Sequence, residues 1–153
     1  MDTEIRTASS EADYRATFSL VQALAIHEKT EQYFKITEAD FAAQADADEP
    51  LFRALIACQA DKIVGVATYL RRFHIWNNSD IFTLDDLFVL PDARGQGIGT
   101  RLLEALGTKA KADGIPVKWQ VMAENHDAIA LYKRMGADVY TSGICWWRPE
   151  NIK

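Results

Sequence analysis

The chain has 153 residues, 48% of them hydrophobic and 25% charged, the balance of a soluble globular domain long enough to bury a sizeable core. Its net charge of −5 argues against a nucleic-acid partner, which needs a basic face for phosphates. No apolar run approaches membrane-spanning length and Met1–Arg6 lacks a secretory signal's apolar stretch, so the expected setting is the cytoplasm, with no membrane partner.

Glu4–Thr7 reads as a first strand. Ser10 and Asp13 have capping-box spacing, and Tyr14, Phe18, Val21 and Ala25 follow at helical intervals, predicting a helix that ends near Glu28. Thr37 and Asp40 repeat the signature for a shorter helix that frays over Ala45–Glu49. Two strands, Leu51–Ala57 and Ile63–Leu70, flank a turn at Asp61-Lys62 as an antiparallel hairpin. Ile81–Leu90 is a further strand, apolar apart from Asp85 and Asp86. Ile98, Leu102, Leu106 and Ala110 then form one helical stripe that Asp113-Gly114 ends.

Ile115–Met122 reads as a strand, and Asn125 caps a helix carrying Ala128, Ile129, Tyr132 and Met135. The tail Val139–Arg148, with Trp146 and Trp147, predicts one or two last strands. Neither repeats nor linkers interrupt this order, so a single α/β (α+β) domain over 1–153 with a mixed sheet is expected. Cys58 and Cys145 lack metal-site spacing and read as small buried thiols. His27, His74 and His126 fit no metal or nucleophile pattern, so no metal is expected.

Residues 89–99, Val-Leu-Pro-Asp-Ala-Arg-Gly-Gln-Gly-Ile-Gly, carry the chemistry. An apolar strand meets a proline, an arginine and three glycines at alternate positions, and a helix follows. Glycine lets a ligand approach the backbone, and a helix N-terminus offers unpaired N–H donors with partial positive charge. A Walker loop would need a lysine that is missing here. The dinucleotide fingerprint needs Gly-x-Gly-x-x-Gly, whereas Gly95-x-Gly97-x-Gly99 stands here, past mid-chain. A glycine-rich turn without a ligand is the plain alternative.

The segment resembles the acetyl-CoA loop of the GCN5-related N-acetyltransferase (GNAT) superfamily, Gln/Arg-x-x-Gly-x-Gly/Ala. Over Leu84–Gly136 the likeness extends to the diamine branch, of which the spermidine/spermine and thialysine acetyltransferases are members. Leu84-Asp85-Asp86-Leu87-Phe88-Val89 resembles that branch's Leu-Glu-Asp-Leu/Phe-Phe-Val strand. Asn125 through Ala137 is similar to its Asn-x-x-x-Ile-x-Phe-Tyr-Lys-x-x-Gly-Ala stretch, and Leu24-Ala25-Ile26-His27-Glu28 to the end of its first helix.

The resemblance implies that Ile81–Leu90 and Ile115–Met122 are parallel neighbours that splay apart, often at a bulge, with helices flanking the sheet. Acetyl-CoA would enter the gap and hydrogen-bond the first strand near Phe88 and Val89. Backbone N–H groups of Arg94, Gly95, Gln96, Gly97, Ile98, Gly99 and Thr100 would hold its pyrophosphate, with Asn125 and Tyr132 also contributing.

Acetyl transfer to an amine sets three tasks. An ammonium, with a pKa of about 10.4, must lose a proton. The carbonyl oxygen needs an N–H as charge builds on it, and the departing thiolate needs a proton. The resemblance gives the last task to Tyr132, which would otherwise be a core tyrosine. It makes Asp85 the base, directly or through water, one methylene shorter than the branch's glutamate. Asp86 and Glu28 would bind substrate nitrogens, and the N–H of Val89 or a neighbour would meet the oxyanion. The plain readings are acids exposed at a strand end and on a helix face. Asp85 and Asp86 face opposite ways unless a bulge breaks the alternation.

His27, Glu124-Asn125 and the loop Phe73–Asn78 depart from the branch where the acceptor pocket is shaped, so the acceptor amine stays open. A small-molecule amine (polyamine, diamine or lysine-like) is the expected substrate, and the aromatic tail points to a homodimer. A peptide or protein amine as acceptor, or a CoA-binding regulator without turnover, are the competing readings.

Overall fold

The computed structural model describes residues 2–153, which form two compact units: residues up to Trp119, and Gln120–Lys153. In the first unit β1 (Glu4–Thr7) leads into α1 (Glu11–His27) through a cap that the sequence announces. Ser10 Oγ accepts from the Asp13 N–H at 3.1 Å, while the Asp13 carboxylate accepts from the backbone N–H groups of Ser9 and Ser10 at 3.0 and 3.2 Å. The same carboxylate takes both guanidinium nitrogens of Arg6, on β1, at 2.7 and 2.8 Å. One buried side chain therefore satisfies orphan helix donors and ties α1 to the sheet.

Bonded to the Arg6 guanidinium and to two backbone donors, Asp13 has a pKa far below the ordinary carboxylate range. A depressed acid lends stability that is present above its unfolded pKa of about 3.9 and lost as pH falls toward the folded value. Asp13→Ala is expected to lower unfolding free energy by about 2 kcal/mol at neutral pH, combining a lost cap with a half-exposed ion pair. Denaturant titrations should show the gap to wild type closing below about pH 4, where the wild type forfeits the same charge. A gap that is constant down to pH 2 would show that packing, not charge, was lost.

A short 3-10 turn at Glu31–Tyr33 follows, then α2 (Glu38–Ala45), capped by Thr37 Oγ1 accepting from the Asp40 N–H at 3.1 Å. Strands β2 (Arg53–Gln59), β3 (Lys62–His74) and β4 (Ser79–Val89) form an antiparallel meander beside β1. After α3 (Ile98–Asp113), β5 (Val117–Lys118) joins β4 in parallel, so the order is β1-β2-β3-β4-β5 in one mixed sheet. The α1 and α2 apolar residues, among them Phe18, Val21 and Phe41, pack with Ile56, Val66 and Phe88 in one cluster. The other face meets α3. Gly65 lets it approach: a Cβ there would stand 3.1 Å from Ile98 and 3.3 Å from Leu102, both buried.

Several boundaries differ from the sequence expectation. Lys62 belongs to a strand, and the turn is Ala60-Asp61, with Ala60 at φ 50°. β3 and β4 form a longer hairpin than the periodicity marks, reaching His74 and Ser79. β5 is two residues in place of the expected Ile115–Met122: Pro116 bounds it on the N-terminal side, having no N–H for a ladder and engaging only by its carbonyl, which accepts from the Phe82 N–H at 3.0 Å, and the pairing with β4 ends at Lys118.

The second unit holds α4 (His126–Arg134), capped by Asn125 Oδ1 accepting from the Ala128 N–H at 3.3 Å. Gly136, at φ 95°, follows its end. The tail carries no strand: Val139–Arg148 has strand-forming residue types but no ladder partner among the described residues. Cys145 is exposed there, against expectation, while Cys58 is buried. None of the described helices is long and apolar enough to cross a membrane.

Candidate functional site

The β3–β4 ladder contains the feature on which the site depends. Thr68 pairs with Asp86, but the next residue, Tyr69, pairs with Leu84, so Asp85 is the extra residue of a bulge. The bulge breaks the alternation of side chains, and consecutive Asp85 and Asp86 line the same cavity. Up-chain of it Phe82 meets Tyr69 edge-to-face, ring centres 5.1 Å apart; down-chain Phe88 joins the α1 cluster. Those two even-numbered residues flank an even spacing yet serve different packing environments, as one inserted residue requires.

That cavity, about 500 Å³, gathers Glu28 from the end of α1 with Asp85 and Asp86 from β4. Its walls are apolar and aromatic: Leu24, Tyr33, Phe34, Phe41 and Phe52. Three carboxylates against aromatic faces suit a cation that also carries hydrocarbon. Burial raises the pKa of Asp86, opposed by a hydrogen bond from Thr68. Asp85 is raised as well, by desolvation and then by the neighbouring Asp86 charge, although much of its surface reaches solvent.

Beyond the bulge β4 has no ladder partner on its β5 side among the described residues. Its parallel ladder with β5 ends at Thr83–Lys118, while β4 runs on to Val89. The Leu90 N–H donates to the Val64 carbonyl at 2.9 Å. By antiparallel alternation the Val89 N–H and C=O point the other way, toward the β5 side. Arg94 caps that carbonyl, its Nε donating to Val89 O at 2.9 Å while its guanidinium lies 5.4 Å from the centre of the Phe88 ring.

The glycine segment follows. Gly95 and Gly97 stand at φ 77° and 72°, a region that favours glycine, and Gly97 is the N-cap of α3. Among the described residues no side chain caps the first turn, no acid lies in it, and a Cβ at Gly95 or Gly97 would meet nothing within 4 Å. Amide donors at the positive end of a 16-residue helix fit the diphosphate of a nucleotide cofactor. The loop is also anchored from below: Gln59 Nε2 donates to Gln96 Oε1 at 2.8 Å and to Thr3 Oγ1 at 3.0 Å. Ile98 and Phe88 are buried, so only their backbones remain available to a ligand, and the Phe88 amide lies on the β3 side of the ladder. Asn125 and Tyr132 belong to the second unit, on and before α4.

The GNAT acetyltransferase family matches residues 18–137, and the chain belongs to that family; it is an N-acetyltransferase. Thialysine N-epsilon-acetyltransferase of Mus musculus is 30% identical over 94% of this chain and 89% of that protein, which agrees with the diamine branch. D-amino-acid N-acetyltransferase HPA3 of Saccharomyces cerevisiae is 29% identical over 71% of this chain and 68% of its own. Among solved structures, a transcriptional regulator from Bacillus halodurans C-125 superposes with a TM-score of 0.78 at 20% identity, covering 96% of this chain and 100% of that one, a likeness of fold.

Sequence reasoning missed the walls of the cavity. Tyr33 and Phe34 come from a three-residue turn too short to leave a periodic signal, and Thr68 reads as an ordinary strand residue until the register is known. Its position opposite Asp86 was obtainable only by counting through the bulge.

Proposed function

We propose that the protein transfers the acetyl group of acetyl-CoA to a primary amine of a small polyamine-, diamine- or lysine-like molecule, by direct attack in a ternary complex. The observation that carries this reading is the meeting of Glu28, Asp85 and Asp86 in one aromatic-walled cavity. The likeness to a thialysine acetyltransferase supports the same substrate class.

The amides from Gly95 to Thr100 would hold the diphosphate, the Arg94 N–H being taken by the Pro91 carbonyl at 3.2 Å, and the backbone of Val89 would offer the β4 edge to the rest of the cofactor. Acetyl-CoA supplies an acyl group activated as a thioester. Asp86 and Glu28 bind substrate ammonium groups, and Asp85 draws the proton from the reacting one, directly or through a water. The Val89 N–H faces the charge that builds on the carbonyl oxygen. Tyr132 protonates the departing sulfur; Asn125 orders the start of α4 and adds a cofactor contact. Tyr132→Phe should lower kcat about tenfold or more, as loss of a general acid does; an unchanged kcat removes it from the chemistry.

The protein works in the cytoplasm as a homodimer on this reading. Phe73, Ile75 and Trp76 are exposed at the β3–β4 hairpin, and Tyr140, Trp146 and Trp147 are exposed in the tail, side chains of the kind enriched at interfaces. Light scattering at micromolar concentration that returned the 17.2 kDa of one chain would refute the dimer.

A CoA-release assay across spermidine, putrescine, lysine, thialysine, an aminoglycoside and a peptide tests the activity. Turnover with a small di- or polyamine or with thialysine is expected. Turnover with the peptide alone would move the acceptor to proteins. Tight acetyl-CoA binding without any turnover would make the chain a regulator.

A further inference from the structure

The two cavity aspartates differ in how they are held, and a neighbour on β3 makes the difference. Asp86 has a fixed carboxylate: the Thr68 hydroxyl donates to its Oδ2. The same hydroxyl accepts from the Asp86 N–H at 3.1 Å, so donor and acceptor on Thr68 both serve one residue. Thr68 itself is 4% exposed and stands at the last regular pair before the bulge. Asp85, the bulged residue, has no such partner in the ladder.

We infer that Thr68 is a positioning residue that reserves Asp86 as a fixed, ionised anchor for a substrate ammonium and leaves Asp85 as the carboxylate free to exchange a proton. The inference rests on the amine-acetyltransferase reading above and deepens it. A carboxylate whose oxygen accepts a hydroxyl proton favours its charged form, and its second oxygen is left oriented toward the cavity's occupant. Burial works in the opposite direction on Asp86, and the hydroxyl opposes it. Without that hydrogen bond the two neighbouring acids would compete for one proton and either could take either role. The other groups facing this pair are Glu28 at the end of α1 and Tyr33 from the 3-10 turn. His27 is not among the cavity's lining residues; its ring lies 6.2 Å from that of Phe88.

The test compares Thr68→Val, which keeps the shape and removes the hydroxyl, with Thr68→Ser, which keeps the hydroxyl. Carboxyl carbon NMR titration of the free protein reads Asp86 directly. In Thr68→Val, Asp86 should become at least about a tenfold weaker acid, as expected for losing a charge-assisted hydrogen bond. Thr68→Ser should titrate as the wild type. In kinetics with the amine that the assay identifies, Thr68→Val should raise the amine KM about tenfold at neutral pH and move its acid limb to higher pH, with kcat and acetyl-CoA affinity kept within a few-fold.

An unmoved Asp86 in Thr68→Val overturns the inference, as does an equal shift in both variants or a fall in kcat with KM unchanged. Thr68→Ala, which adds no methyl contact, replaces Thr68→Val should the latter not fold. If no amine is acetylated, the functional reading fails while the NMR titration still decides whether Thr68 holds the Asp86 charge.

Discussion

Asp85→Asn should cost roughly 10²–10⁴-fold in kcat/KM for the amine, the range spanned by a positioned general base. The pH dependence carries the sharper signature. Burial and the adjacent Asp86 charge lift the Asp85 pKa, so it ionises at higher pH than an ordinary carboxyl. In the wild type the rate therefore climbs as Asp85 loses its proton, and asparagine, which has none to lose, should flatten that climb. An unaltered pH profile would assign the proton to solvent or another group.

The same substitution should make the protein more stable at neutral pH. An acid whose folded pKa is raised contributes stability that is present below its unfolded pKa, about 3.9, and lost as pH rises through the folded value. At pH 7 the folded chain therefore carries an unfavourable charge at position 85 that the amide removes. Thermal melts should place Asp85→Asn above the wild type at pH 7, with the advantage vanishing in acid. Lower activity with higher stability is the pattern of a residue kept for chemistry.

The second large effect is expected at Gly99. It lies in the first turn of α3, and a Cβ built there meets only the Val89 side chain, at 4.0 Å, an ordinary contact, so the backbone admits a side chain at this position. A carboxylate in a first turn is favoured by the helix dipole, and replacing glycine narrows the unfolded ensemble, so folding stability should hold or rise by about 0.5–1 kcal/mol. Acetyl-CoA should bind roughly a hundredfold more weakly, about 2.7 kcal/mol, because the new anion occupies the donors that the diphosphate needs. Isothermal titration of Gly99→Asp beside Gly99→Ala separates charge from bulk. Undiminished binding in the aspartate variant would place the diphosphate elsewhere.

The capped helices were legible because their signals are local: Ser10, Thr37 and Asn125 each bond a backbone N–H three residues ahead, at Asp13, Asp40 and Ala128. The glycine segment was legible for the same reason, since its left-handed residues and open helix end follow from a few neighbours. What failed was non-local. Whether Asp85 and Asp86 share a face depends on one inserted residue in a ladder with β3, and an apolar strand holding two adjacent acids reads equally well with or without it. Val139–Arg148 has the composition of a strand, yet composition cannot create the neighbour that a strand requires. The cavity's aromatic walls assemble from the 3-10 turn and its C-cap (Tyr33, Phe34), from α2 (Phe41) and from Phe52 just before β2, and no single window of sequence contains them.

Two consecutive amides at the end of β4 live under opposite conditions. Leu90 gives its hydrogen to Val64, whereas Val89 turns its own outward and has no backbone acceptor among the described residues. Deuterium should therefore enter position 89 long before position 90 in the resting protein, and that one-residue contrast should fade once a ligand lies along the rim of the sheet.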